Sequence, residues 1–120
     1  MDYSEMAIKI KGLCDGIELK DYQKRMRVQV NVKEGGDGSF YIDVNKGKVA
    51  VEMGKLAESD ITFTASSATL IGLAKGELDP VKTAVSGKIK FKGSIDKIFE
   101  FKKVIDMIKA ARAEKDKAAV

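Results

Sequence analysis

The chain has 120 residues, 44% hydrophobic and 33% charged, which suits one globular domain built on a single core and is too short for two. It has no histidine and one cysteine, Cys14, which removes histidine-based triads, most zinc or iron sites, an internal disulfide and a CxxC pair. The net charge of +4 and pI near 9.1 give a general attraction to anionic surfaces, but the only arginines are Arg25, Arg27 and Arg112. Bidentate reading of guanine or phosphate favours arginine, so specific nucleic-acid binding is not expected.

Asp2 can cap a first helix, with Glu5 three residues later, and Met6, Ile10, Leu13 and Ile17 then recur at helical spacing. Gly12 and Gly16 weaken its second half, and Glu18 to Lys24 can add a short helical turn before the sheet. From Arg25 the period becomes two. Met26, Val28, Val30 and Val32 alternate with Arg27, Gln29, Asn31 and Lys33, the pattern of a half-buried antiparallel strand.

Gly35-Gly36-Asp37-Gly38 turns the chain into a second strand through Phe40, Ile42 and Val44, and Asn45-Lys46-Gly47 into a third through Val49, Val51 and Met53. Ile61, Phe63 and Ala65, alternating with Thr62 and Thr64, make a fourth.

Ser66 or Ser67 can cap a helix carrying Leu70, Ile71, Leu73 and Ala74, stopped at Gly76. Asp79-Pro80 starts another short one with Val81, Ala84 and Val85 on its apolar side. Lys88-Ile89-Lys90-Phe91-Lys92 reads as a fifth strand with cationic and apolar faces. Ser94 caps the last helix, whose Ile95, Ile98, Phe99, Phe101, Val104, Ile105, Met107 and Ile108 cover more than half its circumference. From about residue 112 the tail loses large apolar side chains and is expected to fray. The class is therefore α+β, one domain over residues 1–120.

Gly76-Glu77-Leu78-Asp79-Pro80, Ala84, Gly87-Lys88-Ile89-Lys90-Phe91 and Gly93 resemble the run of glycine, Asp/Asn-Pro, alanine, Gly-Lys and glycine in the sterol carrier protein type 2 domain family. Tyr41 to Gly47 and Ser59 to Thr64 are similar to strands two and four of that family, so the resemblance covers nearly the whole chain. It implies a five-stranded, mainly antiparallel sheet with helices on one face, enclosing an apolar tunnel for a fatty acid, fatty acyl-CoA or sterol. It also implies no covalent chemistry and no cofactor. The chain has Val85 where the family commonly has an aromatic residue, and Ile95, Ile98 and Phe99 where it commonly has methionines.

One sheet face can hide only part of the last helix's apolar perimeter, leaving a ligand chain or a second subunit to cover the remainder. On the ligand reading the lining residues are Leu70, Ile71, Ala74, Val81, Val85, Phe99, Phe101 and Ile105. An oligomerisation domain using the last helix is the alternative. Lys88, Lys90 and Lys92 form either an ordinary solvated strand face or a transient docking surface for an anionic membrane. The start lacks the basic flank and apolar run of a signal peptide, and the end lacks the Ser-Lys-Leu peroxisomal address, so a cytoplasmic location is expected.

Overall fold

A computed structural model describes residues 3–33 and 38–118. In chain order it has α1 (Tyr3–Cys14), β1 (Arg25–Val32), β2 (Gly38–Asn45), β3 (Lys48–Met53), β4 (Ile61–Ala65), α2 (Ser67–Ala74), α3 (Pro80–Val85), β5 (Lys90–Lys92) and α4 (Ile95–Ala118). The expected turn at Gly35-Gly36-Asp37 and the side chain of Met6 lie outside the described residues.

The five strands form one sheet in the order β3-β2-β1-β4-β5. All neighbours are antiparallel except β1 and β4, which are parallel and are joined through the β2–β3 meander. Register fixes the faces. Val30 lies opposite Phe40 and Phe63, Ile42 opposite Val51, and Phe63 opposite Phe91, so the large apolar side chains of every strand share one side. Met26, Val28, Phe40, Val44, Ile61 and Phe63 are almost completely buried there.

The opposite face is polar but not bare. The Gln29 amide donates to the carbonyls of Phe40 and Gly54, each at 3.2 Å, and accepts from the Leu56 N–H at 2.7 Å, which pins the loop after β3 across the sheet. Arg25 forks onto Asp43 at 3.3 and 3.1 Å.

The caps fall where the sequence places them. The Ser66 hydroxyl accepts from the Thr69 N–H at 3.4 Å, and an Asp79 carboxylate oxygen accepts from the Val81 N–H at 2.8 Å and the Lys82 N–H at 3.4 Å, with Pro80 in the first turn.

Two boundaries differ from the sequence reading. Glu18 does not begin a helical turn; it bridges to Lys48, while Gly16 and Ile17 exchange backbone hydrogen bonds with Val49, so this segment covers part of the β3 edge. The fifth strand begins at Lys90 rather than Lys88, because the Lys88 N–H is bonded back to the Thr83 carbonyl at the end of α3. The backbone of α4 is helical to Ala118, in keeping with the helix propensity of the alanine, glutamate and lysine of its last turns.

At the β2–β3 turn both Lys46 (φ 49°) and Gly47 (φ 84°) have positive φ, the type I′ geometry that matches hairpin twist. A Cβ on Gly47 would also run into the Leu19 carbonyl oxygen. Gly12, by contrast, sits in α1 with open space around it. Gly47→Ala is therefore expected to destabilise the fold by about 2 kcal/mol or more, and Gly12→Ala to stabilise it by roughly 0.5–1 kcal/mol. Urea denaturation of the two variants checks both signs.

Candidate functional site

Above the middle of the apolar sheet face three helices converge without closing completely. α1 packs on α2 and on β3, and α3 packs on α4. Between α1, α2 and α4 and the sheet lies a cavity of about 40 Å³. Its floor is Val30 of β1, Phe40 and Ile42 of β2, and Phe63 of β4. Its walls are Ile10 and Cys14 of α1, Leu70, Leu73 and Ala74 of α2, and Phe101, Ile105 and Ile108 of α4.

Each helix offers these residues because of its period. Ala7, Ile10 and Cys14 are the buried stripe of α1, with Leu13 only half-buried. Ile98, Phe101, Ile105 and Ile108 are three or four residues apart and form the buried stripe of α4. Phe101 rests on Phe63 with ring centroids 5.0 Å apart and planes tilted by 35°, a favourable offset geometry. Next to Phe101 in the same helix, Glu100 accepts a 2.9 Å hydrogen bond from the buried Tyr22 hydroxyl and lies 3.5 Å from Lys97. Burial first, and then this bond to Glu100, push the Tyr22 phenol up, so it remains a donor across the neutral range.

The only heteroatom among the lining side chains is the Cys14 sulfur. Burial pushes this thiol up to about 11, with Arg112 opposing and Asp15 assisting the shift. At neutral pH it is protonated and packs as a small apolar group. An apolar void of about 40 Å³ costs about 1 kcal/mol at roughly 24 cal/mol per Å³, and such a lining favours hydrocarbon over water.

The residues singled out from sequence separate into two sets. Leu70, Ala74, Phe101 and Ile105 surround the cavity. Ile71 is half-buried and packs against the core, and Val81 is half-buried on α3. Val85 is 81% exposed and Phe99 50% exposed, on the outside of α3 and α4. The apolar excess of α4 thus does not all turn inward, because Ile95 and Phe99 lie one turn apart at the side of the buried stripe. Sequence reasoning did not single out the floor residues or Ile10, Leu73 and Ile108 as lining. Their alternation and spacing mark burial, but only the placement of α4 separates cavity wall from solid core.

Lys90 and Lys92 project from the polar face of β5 opposite Thr64 and Thr62. They border an open groove of about 710 Å³ that Lys33 and Phe91 also line. Lys88, just before the strand, is exposed as well. Among the described residues, none of these four lysines has an ion pair of 4.0 Å or less.

The described residues thus form an α+β fold with an apolar cavity between a five-stranded sheet and its helices. Residues 9–106 match the SCP-2 sterol transfer family, and the chain belongs to that family. Among solved structures it is similar to the sterol carrier protein domain 2 of Helicoverpa armigera, with 22% identity, 90% of this chain and 87% of that chain covered, and a TM-score of 0.62. It is also similar to SCP2L2 of Aedes aegypti, with 23% identity, coverage of 88% and 95%, and a TM-score of 0.62. For sterol carrier protein 2 of Yarrowia lipolytica in its apo form the values are 22%, 90% and 81%, and 0.56. At these identities the likeness is one of fold. No curated protein matches the chain.

Cys14 offers a built-in reporter of this site. At pH 8 the folded protein is expected to react with an aromatic disulfide reagent at least a hundredfold more slowly than the urea-unfolded chain, because the thiol is buried and protonated. Equal rates in the two states, measured by thiolate release, would place the sulfur outside the cavity wall.

Proposed function

We propose that this domain binds one hydrophobic molecule, a fatty acid, fatty acyl thioester or sterol, in the cavity beneath α1, α2 and α4, and carries it between membranes without covalent chemistry. The observation that carries this reading is the lining: twelve side chains from three strands and three helices converge, and the single heteroatom among them is a protonated thiol. Membership of the SCP-2 sterol transfer family supports it. So does the Aedes aegypti relative, which is described as palmitated. The lack of histidine leaves the chain without the commonest general base, and the buried thiol is no nucleophile.

Ligand sites for molecules of this kind usually enclose about 300–1,000 Å³, whereas this cavity encloses about 40 Å³. Binding therefore requires the walls to part. In this reading α4 is the wall that moves: it supplies Phe101, Ile105 and Ile108 to the cavity, and Phe101 meets the floor through its ring contact with Phe63. A chain of about 16 carbons contributes on the order of 12 kcal/mol gross at about 0.8 kcal/mol per buried CH₂. Association and ordering costs, and the work of opening, reduce this to micromolar or somewhat tighter affinity.

The delipidated protein is expected to take up one fluorescent fatty acid per chain with micromolar affinity. Ala74→Leu, which adds three carbons to the cavity wall, should keep the fold and weaken uptake at least about tenfold. A folded wild-type protein that takes up no acyl or sterol probe contradicts the assignment.

A further inference from the structure

We propose that the α3–β5–α4 corner is a docking surface for anionic phospholipid bilayers, in which Val85, Phe91, Ile95 and Phe99 enter the acyl boundary while the lysines of β5 and its flanks reach headgroup phosphates along the sheet edge. This inference rests on the carrier reading, because it names the surface through which the cargo arrives.

Two independent features coincide there. The first is exposed apolar area: Val85 is 81%, Ile95 57%, Phe99 50% and Phe91 37% exposed, and these four make up most of the large hydrophobic side chains exposed among the described residues. They are close in the fold as well as in sequence. α3 packs on α4, Ile95 and Phe99 are one turn apart, and only Gly93 and Ser94 separate β5 from α4.

The second feature is charge. Residues 81–103 contain seven lysines (Lys82, Lys88, Lys90, Lys92, Lys97, Lys102 and Lys103) and two acids (Asp96 and Glu100), a net of +5 against +4 for the whole chain, so everything else sums to −1. Glu100 is already engaged by Tyr22 and Lys97. Lys33 adds a further cation along the groove beside β5.

An apolar patch alone fits a second protein subunit, and a lysine patch alone fits any polyanion. The combination of bulky apolar side chains with lysines along the adjoining edge strand is what an anionic lipid–water interface rewards. The stretch holds no arginine, so it attracts phosphate as a set of point charges and lacks the rigid forks used for specific recognition.

The location connects the surface to the cavity. Phe91 lies opposite Phe63, part of the cavity floor, and α4 presents Phe101 and Ile105 to the cavity and Ile95 and Phe99 to the outside. A bilayer seated on this corner therefore touches the helix that must move for cargo to enter.

The test uses delipidated protein and sedimentation with vesicles of phosphatidylcholine alone or mixed with phosphatidylserine. Binding is expected to be at least tenfold tighter to the mixed vesicles and to weaken as salt rises above about 0.1 M. Replacing Lys88, Lys90 and Lys92 together by glutamine should weaken it roughly a hundredfold, at about fivefold per lysine. Ile95→Ser with Phe99→Ser should weaken it at least about tenfold even at low salt. Both variants should keep the wild-type melting temperature and the wild-type uptake of a fatty acid offered from free solution, which separates this inference from the carrier reading itself. It is overturned if wild type and both variants bind the mixed vesicles equally. It is overturned too if sedimentation without lipid shows a stable dimer that the serine variant dissociates, or if the lysines bind RNA more tightly than the mixed vesicles.

Discussion

The contact between Phe63 and Phe101, centroids 5.0 Å apart, joins the sheet to α4 at the edge of the cavity, and the proposed function depends on it. Val30 and Phe40 of the floor and Ile105 and Ile108 of α4 line the same apolar space beside these rings. Interiors normally fill such space to crystal-like density. Retaining an apolar void sacrifices about 1 kcal/mol of packing, a cost that a carrier recovers whenever cargo is bound.

α4 faces two environments from one sequence. Its buried stripe, Ile98, Phe101, Val104, Ile105 and Ile108, closes the core, whereas Ile95 and Phe99 stand at the side near the cationic β5. The Tyr22 hydroxyl holds Glu100 between these two sets. A single helix thereby supplies part of the cavity wall and two of the exposed apolar side chains, and it is on this double exposure that the proposed route for cargo rests.

Much of this was legible in the sequence, for identifiable physical reasons. Two-residue alternation in 26–32 and 61–65 survives folding because one sheet face is buried and the other is wet, so a one-residue slip would invert every side chain. The Asp79-Pro80 cap was readable because both residues act locally through the first amides of α3. What was not readable depends on contacts distant in sequence. The bridge from Glu18 to Lys48 exists because the β3 edge needs partners, and nothing in residues 18–24 alone reveals that edge. Likewise Val85 and Phe99 look like core in a helical pattern. Whether an apolar residue at the margin of a stripe faces the cavity or water is settled by where α3 and α4 lie on each other.

The most direct test of the central claim is a set of nuclear Overhauser effects between ¹³C-labelled palmitate and the methyl groups of the loaded protein. The account requires contacts to Ile10, Leu70, Leu73, Ile105 and Ile108, the methyls that ring the space above Val30 and Phe40. Contacts confined to Val85 and Ile95, with the interior methyl signals unmoved, would show that the fatty acid only adheres to the outer surface and that the interior is not its site.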